Sequence, residues 1–298
     1  MLTRPCSPCC RGIPSVDGDR EVPASARKAA AMFSWARILL ALTIATAGAL
    51  TGISPAAASP GNAADHKTII CKSNGFLIAH TRYAGTLYAV RNSFWLGQRP
   101  QCISNRGHLS NFQVVQRPGY DPAGRVVAYP DIFRGCIWNI CSPNAGLPRR
   151  VSALGRPAAT WHTTEHAAGT WNAAFDIWFG KKRMITGQAN GAELMIWLNE
   201  HGGCCALQPG APKVWVGGHL WWLSHWTTHH DGVSWNYIQF RRVHRTWHVN
   251  NLKLHPFIRR VERLGLVQSR WWMENIEAGF ELWSGGQGLA TTQYIVRM

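Results

Sequence analysis

The stretch that decides the fold is NGAELMIWLNE, residues 190–200. Ala192, Leu194, Ile196 and Leu198 alternate with Glu193, Met195, Trp197 and Asn199, the period-two pattern of a β-strand. One side of such a strand is aliphatic and belongs in a core. The other sets a carboxylate beside a thioether and an indole, where a charge is expensive to keep dry. The arrangement recurs twice. In NAAFDIWFG (172–180) Ile177 and Phe179 oppose Asp176 and Trp178, and in EAGFELWSGGQGL (277–289) Phe280 and Leu282 oppose Glu281 and Trp283. A single half-buried acid is most simply a partner for one of the many Arg residues. Three strands that each carry an acid next to Trp, opposite the aliphatic side, point instead to a functional face.

Other short strand-like pieces surround these, among them TLYAVRNSFW (86–95), FQVVQR (112–117), VVAYPDIF (126–133), KVWVGG (213–218), WNYIQFRR (235–242) and QYIVRM (293–298). Gly, Pro and Asn punctuate them, which reads as an all-β sandwich. LHPFIRRVERLGL (254–266) is the exception. Phe257, Ile258, Val261 and Leu264 fall at helical spacing between Pro256 and Gly265, so one short helix is expected against the outside of the sandwich. There is no internal repeat and no second-domain boundary.

With 298 residues, 46% hydrophobic and 15% charged, 16 Trp and 29 Gly, the chain can bury one sizeable core and is neither a coiled coil nor a disordered tail. Its net charge of +16 raises nucleic acid as a partner. The basic residues are scattered, however, and no nucleic-acid motif accompanies them, so no nucleic-acid partner is expected. Residues 32–61 hold one basic residue, Arg37, then an apolar run from Ile38 to about Ile53, then AAAS. These are the parts of a secretory signal cut after Ala58. The run is too short and too rich in Gly, Ala and Thr for a membrane anchor. The expected organisation is a leader and signal peptide over 1–58 (with Met32 an alternative start), a linker over 59–68, and one domain over 69–298, secreted and monomeric.

Export makes cysteine pairing plausible, and Cys136 and Cys141 are close enough for a tight clip. Cys204 and Cys205 are adjacent and stay open. CSPCC, with Cys6, Cys9 and Cys10, has no second ligand pair at metal spacing. HTTEH (162–166) matches a metalloprotease string, but its surroundings lack the helical periodicity that would bring His162 and His166 to one face. HHD (229–231) before Gly232 reads as a turn. No metal and no cofactor are expected. Asp65, Asp121, Asp131, Glu200, Asp231 and Glu262 fall in linkers, turns or the helix and read as solvated, and Glu274 and Glu277 as exposed.

Trp-lined faces bind sugar rings, because the CH faces of a pyranose stack on an indole. Two carboxyls there can break a glycosidic bond, one protonating the leaving oxygen while the other attacks or activates water. At this point a resemblance becomes specific. ELMIWLN, AAFDIWF, GCIWNICSPNAGLP, QCI and EAGFELWSGGQGLA, in that family's order from about Cys71 to Val296, resemble glycoside hydrolase family 12, the compact bacterial and fungal endoglucanases. The resemblance implies a β-jelly roll of two stacked antiparallel sheets with a substrate cleft, and hydrolysis of internal β-1,4 bonds of cellulose or a related β-glucan with retention of configuration. It implies Glu193 as nucleophile, Glu281 as acid/base and Asp176 as the acid that conditions the nucleophile. Met195, Trp197 and Pro209 match positions near the cut bond, and Trp95 and Asn92 match sugar contacts. It also implies the bridges Cys71–Cys102 and Cys136–Cys141. Ser93 stands where the family usually has Asn, and Leu96 where it has Gly. The rival readings are a non-catalytic or weakly active β-glucan-binding relative, which would not require both glutamates and Asp176, and an enzyme aimed at xyloglucan or mixed-linkage glucan.

Overall fold

The computed structural model describes residues 66–81, 85–183, 186–203 and 205–298. The leader, the export signal with its cut after Ala58, most of the linker, and Cys204 lie outside the described residues. In chain order the strands are β1 (Lys67–Ile70), β2 (Gly75–His80), β3 (Leu87–Asn92), β4 (Cys102–Arg106), β5 (Phe112–Gln116), β6 (Asp131–Ile137), β7 (Ile140–Cys141), β8 (Arg149–Arg150), β9 (Ala158–Thr164), β10 (Gly169–Gly180), β11 (Ala192–His201), β12 (Lys213–Val216), β13 (His219–His230), β14 (Val233–Arg242) and β15 (His248–Lys253). The helix α1 (His255–Arg263) follows, then β16 (Trp272–Met273), β17 (Asn275–Gly279), β18 (Leu282–Gly285) and β19 (Ala290–Arg297).

They form two sheets. The smaller runs β1-β4-β5-β19-β9-β15, and the larger runs β12-β13-β14-β11-β10-β17-β6-β3-β2, with β7, β8, β16 and β18 attached beside that path. Pairing is antiparallel except between β11 and β14, which run parallel. The aliphatic side of each alternating strand does what its sequence demands. Leu194, Ile196 and Leu198 of β11, Phe175 and Ile177 of β10, and Ile276 and Ala278 of β17 meet Val114, Trp161, Tyr294 and Val296 of the small sheet in one core. Edge-to-face ring pairs stitch the layers: Trp161 with Phe175 at 5.2 Å, Phe112 with Phe280 at 5.9 Å, and Tyr88 with Tyr294 at 5.0 Å. Each such fully buried side chain stabilises the fold by roughly 1.5–3 kcal/mol.

The expected helix is present. Pro256 opens it, Phe257, Ile258 and Val261 are its buried face, and Leu264 lies just past its end, exposed. Phe257 packs on Trp221 and Phe240, each at 5.0 Å, which fixes α1 against β13 and β14. HHD is a turn only at its last residue: His229 and His230 close strand β13, paired with Ser234 and Val233, and the turn into β14 is Asp231–Gly232, both at positive φ. HTTEH does not form a helix: His162 is on strand β9 and His166 beyond its end, so the two imidazoles share no helical face. Both bridges implied by the resemblance are formed, Cys71–Cys102 and Cys136–Cys141, the second linking directly paired residues of β6 and β7. No helix of the described residues is long and apolar enough to cross a membrane.

Candidate active site

Because side chains alternate across a strand, burying Leu194 and Ile196 in the core forces Glu193, Met195 and Trp197 onto the opposite face of the large sheet. Register then decides which residues meet there. Asp176 of β10 lies opposite Met195 of β11 on one side and Glu277 of β17 on the other, and Glu277 lies opposite Phe133 of β6. One row away, Trp178 lies opposite Glu193, which lies beside Tyr237 of β14. Met195, Trp197, Tyr237, Trp283, Ala174 and Val126 make a second apolar cluster on this face, with Trp95 and Trp226 packed against it. The three acid-plus-Trp strands thus share one surface.

Each carboxylate there is held individually. The indole N–H of Trp235 donates to Glu193 Oε2 at 2.7 Å, and that of Trp178 donates to Asp176 Oδ2 at 2.9 Å. Glu281 sits in the break between β17 and β18, where Asn172 clasps it on several sides. The Asn172 side-chain amide donates to its carboxylate, the Glu281 backbone N–H donates to Asn172 Oδ1 at 3.1 Å, and the Asn172 backbone N–H donates to the Glu281 carbonyl at 3.0 Å. Gly279 precedes this break because no side chain would fit: a Cβ there would stand 2.4 Å from the carbonyl oxygen of Pro130.

Glu193, Glu281 and Asp176 are 1%, 5% and 3% exposed. Burial pushes Glu193 up to about 8, opposed by the Trp235 hydrogen bond and reinforced by Glu281 and Glu277 whenever those carboxyls carry charge. Burial also raises Asp176 well above the usual carboxylate range, as do the charges of Glu193 and Glu281. The sign for stability follows. A carboxyl whose folded pKa lies above its unfolded one keeps its proton longer in the fold, so stability falls as pH rises through that window. Between about pH 4.5, the ordinary glutamate value, and about 8, keeping Glu193 protonated in the fold should cost on the order of 1 kcal/mol of stability per pH unit, and Asp176 acts in the same direction. Urea unfolding should therefore show a higher midpoint at pH 5 than at pH 8; equal midpoints, or the reverse order, would contradict this.

Not every residue singled out in the sequence joins this group. Met195 and Trp197 do, but at 1% and 2% exposure they are its floor, with Arg241 stacked 5.6 Å over the Trp197 ring. Trp95 is half-buried against the same cluster. Asn92 does not join it. Its side chain lies on the core side of β3 at 0% exposure, with its amide nitrogen donating to Gln101 O at 2.9 Å and its oxygen accepting from Gln101 Nε2 at 2.9 Å. Pro209 is exposed in the turn Gln208–Ala211, outside the cluster.

Four acids read as solvated or exposed are buried: Asp131 at 0%, Glu277 at 1%, Glu274 at 4% and Glu200 at 6%. Glu200 is paired with Arg241 and with Arg245, the latter at 2.6 Å. Asp131 and Glu277 share the guanidinium of Arg91, which binds Asp131 through Nε at 3.2 Å and through Nη2, and Glu277 through Nη2 at 2.8 Å. A sequence signal for Glu277 did exist. It is four residues before Glu281 with Gly279 between, so alternation alone puts all three on the functional face.

Residues 115–297 match the family model described as Glycosyl hydrolase family 12. Endoglucanase S of Pectobacterium parmentieri is 31% identical over 180 residues, 57% of this chain and 66% of that protein, so the chain spans just under two thirds of that relative. Among solved structures, a metagenome-derived family 12 endoglucanase is 34% identical with a TM-score of 0.68, covering 78% of this chain and 98% of that one. Endoglucanase cel12A from Rhodothermus marinus is 36% identical with a TM-score of 0.68, over 77% of this chain and 97% of that one. The chain belongs to glycosyl hydrolase family 12.

Proposed function

We propose that this chain hydrolyses internal β-1,4 bonds of a β-glucan by double displacement with retention, as a secreted monomer whose catalytic domain, 69–298, follows a signal over 1–58 and a linker over 59–68. The observation that carries the reading is the convergence of Glu193 and Glu281 on one Trp-lined face, each carboxylate fixed by its own donor, Trp235 and Asn172. In it Glu193 attacks the anomeric carbon and Glu281 protonates the departing oxygen, then takes a proton from water in the second step. Asp176, held by Trp178, is the positioning acid beside the nucleophile. The indole N–H groups of Trp95, Trp197 and Trp283 are buried on the same face without a hydrogen-bond partner among the described residues.

Reducing-end release from a panel of carboxymethylcellulose, mixed-linkage β-glucan, xyloglucan, xylan and mannan tests the reading. Hydrolysis confined to the glucan-backbone polymers is expected. Cleavage of xylan or mannan alone, or of none, would overturn it.

A further inference from the structure

Asp131, Glu277, Asp176, Glu193 and Glu281 are all 5% exposed or less, on the same face of one sheet. Dry carboxylates this close together cannot all be charged. Among the described residues, Arg91 is the one cation that makes an ion pair with any of the first four. It is itself 3% exposed. Its alternation partners Tyr88 and Val90 are core residues, so Arg91 is driven onto the functional face by the same pattern that builds β3. There it faces Asp131 from β6, Glu277 from β17, the Phe133 ring at 5.4 Å and the field of Tyr129.

We propose that Arg91, Asp131 and Glu277 form a positioning triad, in which the single guanidinium fixes how many protons the buried carboxyl row retains and so leaves Glu193 as the member that ionises for attack. The assignment rests on the function proposed above. Arg91 and ionised Asp131 cancel. Glu277 keeps a proton: its burial favours that form first, and the Asp131 charge adds to it against the opposing pull of Arg91. The triad is then neutral. Asp176 lies directly across from Glu277 and next faces Glu193, Glu281, Asp131 and the Trp178 indole. Glu193 faces Trp235 and Tyr237 of β14 as well as Glu281 and Glu277. A neutral Glu277 therefore spares both acids a further negative neighbour. The contact reaches 40 residues to Asp131 and 186 to Glu277 in sequence.

Charge compensation distinguishes this role from mere packing. In Arg91→Met the row must take up an extra proton, so the acid limb of kcat/KM on a soluble β-glucan should move to higher pH by about one unit. In Arg91→Met/Asp131→Asn the cation and its anion leave together, and the limb should return to within a few tenths of the unsubstituted midpoint even if kcat stays low. Arg91→Lys should keep the original midpoint. Two purely structural lesions would not compensate in this way. An unmoved limb in Arg91→Met, or a double variant as displaced as the single one, overturns the proposal. Should Arg91→Met not fold, Glu277→Gln decides: a neutral Glu277 predicts an unmoved limb, whereas a fall of about a unit would mean that Glu277 was charged and would refute the triad. Carboxyl carbon-13 NMR of Glu193 in the same variants follows the same shifts without turnover, so absence of glucanase activity would reject the proposed function and still leave the triad open to confirmation or refutation.

Discussion

Glu193→Gln should lower turnover of a soluble β-glucan by at least about 10⁴-fold with the fold intact. The amide matches the carboxylate in size, and its oxygen can keep accepting from the Trp235 indole at the 2.7 Å now seen, so the strand pairing of β11 has no reason to change. What disappears is the oxygen that must bond to the anomeric carbon. No glycosyl-enzyme should then be found by mass spectrometry of the protein quenched during turnover of an activated substrate. The substitution also removes an acid held up near 8 by burial, so the variant should be no less stable than the parent at pH 8. Retention of a tenth of the activity would remove Glu193 from the nucleophile's role.

Glu281→Gln should have an effect that depends on the leaving group. Polysaccharide needs a proton delivered to the departing oxygen, and loss of general acid catalysis typically costs about 10²–10⁴-fold. An aryl glycoside with a good leaving group needs little protonation in the first step and should be spared most of that loss there. The Asn172 clasp makes this a clean test. Two of its hydrogen bonds, at 3.1 and 3.0 Å, run to the Glu281 backbone and survive the substitution, so the backbone there stays where it was, and the Gln amide oxygen can still accept from the Asn172 amide. Equal losses on polysaccharide and activated aryl glycoside would exclude Glu281 as the acid.

How much of this was legible in the sequence depends on whether the information is local. Alternation within residues 192–201 is local, and it correctly separated Leu194 and Ile196 from Glu193 and Met195. The same rule, carried back from Glu281 to 277, places Glu277 on the functional face as well. Burial of Asp131 was not readable in this way. It follows Pro130, which looks like the end of a turn, and its partner Arg91 is on a strand reached only through sheet order. Likewise Asn92 was assigned to the sugar face by resemblance. Its position next to outward-facing Arg91 requires the opposite side, and there its amide completes a hydrogen-bonded pair with Gln101. The long strand β13, HLWWLSHWTTHH, mixes Trp, His and Thr with no clean aliphatic face, and its pairing with β14 over Trp221–His230 and with β12 over His219–Trp222 defines it. The parallel step between β11 and β14 is a property of topology and leaves no trace in either strand.

The measurement that bears most directly on the central claim is proton NMR of the first products released from a β-1,4-glucan oligosaccharide, recorded before mutarotation sets in. Two successive displacements at one carbon restore its configuration, so a glutamate nucleophile paired with a glutamate acid/base requires the β-anomer first, with the α-anomer growing in only as the sugar equilibrates. An initial α-anomer would mean a single displacement by water, in which Glu193 forms no bond to the sugar and cannot be the nucleophile.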